Sequence, residues 1–442
     1  MADYRETVDY ILSIPLFAQK IGKENLSSLL CRLGNPERSI PAVHVAGTNG
    51  KGSTCRALAQ MLTDKGYKVG LFISPHLVTI NERIQIDGVN ISDDDFVWAF
   101  ETVKAQFTQH PSFFEVMFAM AAVYFQKQGC DFAVYETGMG GRLDATNVLM
   151  PEITIITSVG MDHMEYLGDT IEKIAAEKAG IIKAGIPIIY FRRDEAAAKV
   201  IEDTAREHGS PIITVEKQDY IINHLGNKTI DFSLYSRYYS YCNLVIQKTS
   251  LYQVENVSLA IAAFYILMKA RNMSDHDIED GIRSSLLRFF WEGRMEEIAP
   301  HIYVDGAHNV EAISAYIDTM RAFHLDDRKI LVFAAVKDKE YGSMISMLSR
   351  QLRWDRIIVT SVDGSRKADA ARLAQIFSEN TDVPVLVSDV IDEAMDMAVA
   401  LMTEMEHADG LDGVQHDIDI YCVGSLYLVG GVKRWRKDHD QL

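Results

Sequence analysis

Short, β-prone apolar runs alternate along this chain with stretches of helical period. Residues 42–46 form such a run, enter a glycine-rich turn and lead into a helical pattern over 53–63. The rhythm returns at 69–73, 132–135, 153–157 and 186–191, with helical patterns at 113–127 and 170–179 between strands. Strands alternating with helices predict an α/β protein with a mostly parallel sheet covered on both faces. Over 220–248 the pattern changes to short runs rich in Tyr, Ile and Ser, which predicts a small antiparallel insert. A helix is predicted over 254–271. A short charged stretch between Gly293 and Pro300 then precedes a second αβ series at 302–304, 330–335, 356–360, 383–387 and 418–423. The boundary falls in that stretch, so the expected domains are 1–295 and 296–442.

Composition narrows the function classes. The 442 residues, 48% hydrophobic and 24% charged, describe an ordinary folded globular chain. Asp and Glu number 62 against 44 Lys and Arg, a net charge of −18 that argues against a broad nucleic-acid surface. An anionic ligand therefore needs a local site. The five cysteines include no CxxC pair, so neither a zinc site nor a disulfide framework is indicated and a reducing cytoplasm is expected. Asp3, Arg5, Glu6 and Asp9 interrupt the start where a secretory signal would be apolar. The longest apolar run, 259–268, is far short of the ~20 residues a membrane span needs. The expected partners are small molecules, with no membrane and no nucleic acid, and the expected state is a monomer.

Gly47-Thr48-Asn49-Gly50-Lys51-Gly52-Ser53-Thr54 sits between the first strand and its helix. There, backbone N–H groups and a helix N-terminus can converge on phosphate oxygens. Lys51 supplies a point charge and the Ser53 hydroxyl a magnesium ligand, although an extra glycine departs from the GxxxxGK[ST] form. GTNGKGST resembles the nucleotide loop of the Mur ligase superfamily, specifically of the folylpolyglutamate synthase/dihydrofolate synthase family. Five further stretches carry the resemblance over nearly the whole chain: 74–77 with 81–83, Glu136 to Asn147, Asp162-His163 with 177–180, 291–294, and Asp305-Gly-Ala-His-Asn309. The resemblance implies a P-loop NTPase-like N-terminal domain with the ATP and pterin sites, and a smaller Rossmann-like C-terminal domain that binds glutamate.

Glu136 ends a strand at the carboxyl edge, where open α/β sheets place ligands, and suits a hard cation. The resemblance adds Ser74 to a first magnesium ion and sets His163 beside Glu136 at a second; His163 alone would read as a hydrogen-bonded loop histidine. It also implies a carbamylated Lys178 at that ion, which requires a neutral amine and hence a depressed lysine pKa. Gly138-Met-Gly-Gly-Arg-Leu fails as a dinucleotide fingerprint because its third glycine would fall at Leu143. Arg142 offers a planar fork to a carboxylate. By resemblance Leu143, Asp144 and Ala145 border the pterin, as do Phe113, Phe114 and Glu115, the aromatic pair being as readily core. Asn49, Gly50 and Gly52 line the phosphates, Asn256 contacts the nucleotide, and Arg294, on the linker, reaches a polyphosphate. Asp305 suits ribose hydroxyls and His308 the phosphates. Arg83 belongs to a mobile loop over the folate pocket. Lys51, Lys178, His163 and His308 are the expected catalytic residues.

The chain departs from the family pattern in two places. Glu292 stands where a proline is common, and Tyr252 where a histidine precedes the glutamine. The activity implied is ATP-dependent ligation of L-glutamate to dihydropteroate or a reduced folate. A γ-phosphoryl transfer makes an acyl phosphate, which the amine then attacks while domain closure excludes water. A cell-wall Mur ligase would carry an extra N-terminal domain, and only 46 residues precede Gly47. A P-loop switch or motor would turn over nucleotide without ligation, and a pure binding module would leave Glu136 and His163 without purpose.

Overall fold

In a computed structural model of the chain, the described residues are 3–15, 24–226, 228–247, 250–324, 328–364, 366–412 and 418–439. They form a two-domain α/β fold with mostly parallel sheets, divided into two compact units. One comprises Met1–Asn223, Phe232–Ile246 and Gln253–Phe289; the other comprises His224–Asp231, Gln247–Tyr252 and Phe290–Leu442.

The first unit is built on eight strands: β1 Ala42–Ala46, β2 Val69–Phe72, β3 Ile84–Ile86, β4 Val89–Asn90, β5 Phe132–Glu136, β6 Ile153–Ile156, β7 Ile188–Arg192 and β8 Ile212–Glu216. Their order is β4-β3-β2-β5-β1-β6-β7-β8. β3 runs antiparallel to both β2 and β4, and the remaining pairs are parallel. Every residue of β1, β2, β5 and β6 is buried, as expected for strands with both faces covered. On one face Phe72, Phe118 and Tyr135 pack as an aromatic cluster, with T-shaped contacts at ring separations of 5.5 and 6.2 Å. Here the helix Phe113–Gln128 meets β2 so closely that a Cβ on Gly70 would lie 2.6 Å from the Phe125 ring.

The expected helix over 53–63 begins two residues earlier, as Lys51–Asp64, because Gly50 takes a left-handed φ of +84° and turns the chain into the helix at once. The expected insert is a three-stranded sheet of β9 Tyr220–Gly226, β10 Thr229–Tyr235 and β11 Ser240–Gln247 in the order β11-β10-β9.

The second unit carries β12 Glu296–Ala299, β13 Ile302–Asp305, β14 Arg328–Phe333, β15 Arg356–Thr360, β16 Val385–Ser388 and β17 Ile418–Val423. They are ordered β12-β13-β17-β14-β15-β16 and are parallel except for β12 against β13. The charged stretch before Pro300 is thus an edge strand, where carboxylates can reach water. β17 is buried at all six positions and lies between β13 and β14. Among the described residues no helix is long and apolar enough to cross a membrane.

Phe125 is fully buried and has no room to swing away. Gly70→Ala is therefore expected to destabilise the first unit by about 1–3 kcal/mol. A urea transition at the parental midpoint would contradict this packing.

Candidate active site

Strand order brings the site of the first unit together. β5 lies between β2 and β1, so Glu136 at the end of β5 is flanked by the Ser74 turn after β2 and the glycine loop after β1. Glu136 is 3% exposed; its Oε2 accepts from the Ser74 amide at 2.9 Å, and Lys51 Nζ stands 3.8 Å from Oε1. The Lys51 ammonium also donates to the carbonyls of Gly47 at 3.2 Å and Thr48 at 3.3 Å, so it folds over its own loop.

That loop is clipped to the segment after β6. The Thr48 amide donates to the Ser158 carbonyl and the Asn49 amide to Ser158 Oγ, both at 2.9 Å, while Thr157 Oγ1 donates to the Asn49 carbonyl at 2.6 Å. A Cβ on Gly50 would lie 2.1 Å from Asn256 Oδ1. Asn256 in turn donates to Gln253 Oε1 at 2.9 Å, and Gln253 Nε2 donates to Ser53 Oγ at 3.2 Å. The first turn of the helix Gln253–Ala270 thus aligns Ser53 and Gly50 through two amide side chains. Sequence reasoning assigned no role to Gln253, Thr157 or Ser158; the spacing of Gln253 three residues before Asn256 was the available signal.

The Gly138–Asn147 stretch and the helix Ile171–Ala179 interlock. The Arg142 amide donates to the Glu177 carbonyl at 2.7 Å, and its guanidinium pairs with Glu177 Oε1 at 2.8 Å. Asn147 Nδ2 donates to the carbonyls of Arg142 and Gly180, each at 3.0 Å. A Cβ on Gly141 or Gly180 would meet opposing atoms at 2.8 and 2.4 Å, which accounts for both glycines. Asp144 turns inward: Oδ1 accepts from the Thr146 hydroxyl at 2.5 Å and Oδ2 from the Met139 amide at 3.0 Å. Burial raises its pKa, which these bonds offset in part.

The other expected pterin contacts divide. Leu143 is 68% exposed and available to a ligand, and Ala145 is half-buried. Phe113 is core, with the Arg83 guanidinium 5.1 Å above its ring. Phe114 packs beneath Gly138, and the Glu115 carboxylate closes a capping box with Ser112. Arg83 also donates from Nε to His76 Nδ1 at 2.8 Å. His163 is exposed, takes a left-handed φ of +51° and donates its amide to Asp162. Lys178 is 2% exposed on the helix that holds Arg142.

In the second unit Asp305 is 2% exposed and bears three internal hydrogen bonds: Ala307 amide to Oδ1 at 2.8 Å, and Met295 amide at 2.9 Å and Tyr252 hydroxyl at 2.6 Å to Oδ2. Burial raises the pKa of Asp305 and pushes that of Tyr252 far up. His308 Nδ1 lies 2.7 Å from the Gly306 carbonyl, which requires the proton on Nδ1 and leaves Nε2 for a ligand. Asn309 caps the helix Val310–Phe323.

Among the described residues no three of His, Cys, Asp and Glu converge as a metal cage. Ser53 and Glu136 instead offer a small, all-oxygen donor set at the phosphate loop, which fits a magnesium ion that arrives with phosphate oxygens already bound to it.

Residues 45–264 match the Mur ligase middle domain and residues 293–408 the Mur ligase glutamate ligase domain. The chain is 39% identical to dihydrofolate synthase/folylpolyglutamate synthase of Bacillus subtilis over 356 residues, 78% of this chain and 82% of that protein. Among solved structures, Mycobacterium tuberculosis folylpolyglutamate synthase complexed with ADP superposes with a TM-score of 0.88 at 27% identity, covering 98% of this chain and 97% of that one. E. coli FolC in complex with DHPP and ADP gives 0.85 at 25% identity, covering 100% and 99%. Motif, fold and relatives agree: the chain belongs to the folylpolyglutamate synthase/dihydrofolate synthase family of Mur ligases.

Proposed function

We propose that this protein joins L-glutamate to the carboxylate of a pterin-bearing acceptor, dihydropteroate, a reduced folate or both, by using ATP. The observation that carries the reading is Lys51 beside buried Glu136 at the mouth of a clipped glycine loop. Relatives named for this chemistry, one solved with ADP and one with DHPP and ADP, support it.

A carboxylate does not react with an amine in water because its leaving group is poor. Transfer of the γ-phosphoryl group to the acceptor carboxylate makes an acyl phosphate. The glutamate amine then attacks the acyl carbon, inorganic phosphate leaves and the amine loses its proton. Amides of Asn49, Gly50, Lys51, Gly52 and Ser53 at the start of the helix Lys51–Asp64 supply donors for the phosphates. Lys51 leaves the loop carbonyls to follow the transferring phosphoryl group. Ser53 and Glu136, with Ser74, are the residues that would hold magnesium, which when bound offsets charge on the phosphates. A second ion at Glu136 and His163 would draw on Lys178 as a carbamate, and burial of that lysine favours the neutral amine that takes up carbon dioxide. Asn256 serves the nucleotide through Gly50. Arg294 and His308 are cationic or N–H donors for polyphosphate, and Asp305 supports them. Arg142, Leu143 and Ala145 border the acceptor; Asp144, Phe113, Phe114 and Glu115 shape its walls from within. The acidic composition and the cysteine pattern favour a cytoplasmic monomer.

Protein incubated with MgATP, L-glutamate and each pterin in turn should release ADP and yield a product one glutamyl residue heavier by mass spectrometry. No mass gain with either acceptor would remove the assignment. Lys51→Ala should lower kcat by about 10²–10³ while circular dichroism is unchanged; parental turnover would take Lys51 out of the mechanism. EDTA should abolish ADP release and added magnesium restore it, whereas turnover that survives chelation would exclude the metal.

A further inference from the structure

Two departures from the family pattern, Tyr252 and Glu292, meet at one short segment of the second unit. Arg294 is bracketed there by two left-handed residues, Gly293 at φ +67° and Met295 at φ +46°. The amide on each side is gripped by a buried carboxylate: Gly293 N–H donates to Glu296 Oε2 at 2.7 Å and Met295 N–H to Asp305 Oδ2 at 2.9 Å. Each carboxylate is gripped in turn. Tyr252 donates to Asp305 at 2.6 Å, and Lys433, from the helix Leu426–Asp438, donates to Glu296 Oε1 at 3.0 Å and also to Glu292. The Gly306 amide donates to the Gly293 carbonyl at 2.8 Å, and a Cβ on Gly306 would lie 2.2 Å from Arg294 Nη1. The guanidinium therefore lies against the one residue of the turn after β13 that leaves it space.

We propose that Tyr252 and Lys433 are positioning residues for Arg294: the phenol and the ammonium each lock a carboxylate that holds the main chain beside it, so that the guanidinium is presented in one place to an incoming polyphosphate. A proline at 292 would stiffen the segment by restricting its own φ; here Glu292 is instead tied to Lys433. The phenol at 252 supplies Asp305 with a neutral donor that adds no charge beside Arg294. A planar guanidinium gains its advantage over a lysine only when its fork is fixed before the ligand arrives. The inference rests on the proposed ATP-dependent reaction for what the arginine contacts, and on the hydrogen bonds alone for how it is held.

Hydrogen exchange and kinetics separate the two. In full-length protein, Tyr252→Phe and Lys433→Met should speed amide exchange in a peptide covering 291–296 and leave the phosphate-loop peptide unchanged. Each should raise the KM for ATP about three- to tenfold, with the KM values for glutamate and the pterin within twofold of the parent. In an Arg294→Ala background neither substitution should raise the ATP KM further. Lys433→Gln, which keeps chain length, replaces Lys433→Met if the latter folds poorly.

Unchanged exchange in 291–296 would overturn the clamp. Equal shifts of all three KM values, or full effects that persist without Arg294, would overturn its role in presenting the arginine. If the parent protein makes no glutamyl product, the proposed reaction fails. Calorimetric MgATP affinity then takes the place of KM, and a parent that binds no nucleotide, or variants that bind it as the parent does, would overturn this inference as well.

Discussion

Glu136 is the constraint around which the first unit is organised. A carboxylate 3% exposed at the end of a central strand has lost most of its hydration and costs several kcal/mol unless donors replace the water. β2 brings the Ser74 amide and β1 brings Lys51, one from each neighbouring strand. The strand order β2-β5-β1 is thus both the topology of the sheet and the means of satisfying its buried charge. The phosphate loop inherits its position from the same arrangement. Its far side is tied to Thr157 and Ser158 behind β6, so three strands determine where one turn lies.

The second unit treats its buried acid differently. Asp305 faces two amides and a phenol, with Arg294 close enough to lower its pKa against the larger rise from burial. Where Glu136 presents a charge next to a mobile ammonium, Asp305 spends its lone pairs on main chain. Two acids at strand ends, both read from sequence as ligand contacts, therefore have different immediate surroundings. Ser53 and Gly50 show how far such support extends, since the amides of Gln253 and Asn256 align them from a helix some two hundred residues later in the chain.

The parts legible in sequence were those governed by local physics. β1, β15 and β17 match their predicted bounds because each is a continuous apolar run closed by polar or glycine residues. The glycine loop was legible because strand, turn and helix are contiguous. Edge strands were not: β3, β4 and β8 are short, partly exposed and lack the apolar run, and β12 carries two glutamates. Long-range supports left no local trace either. Nothing near Glu115 distinguishes a capping carboxylate from a ligand, and only the fold shows Ser112 taking it up. The pairing of Gly141 and Gly180 across the Arg142 interlock likewise joins two motifs that read separately in one dimension.

The lysine that curls over its own loop has a thermodynamic corollary. Because Lys51 already satisfies two carbonyls and a neighbouring carboxylate, an arriving triphosphate exchanges partners with it and gains less than a bare ammonium would give. Affinity for the ground state is held down by that exchange. An ammonium released only as negative charge builds up favours the most anionic species along the reaction coordinate, and selectivity for the transition state over the resting nucleotide follows from how the resting loop is folded.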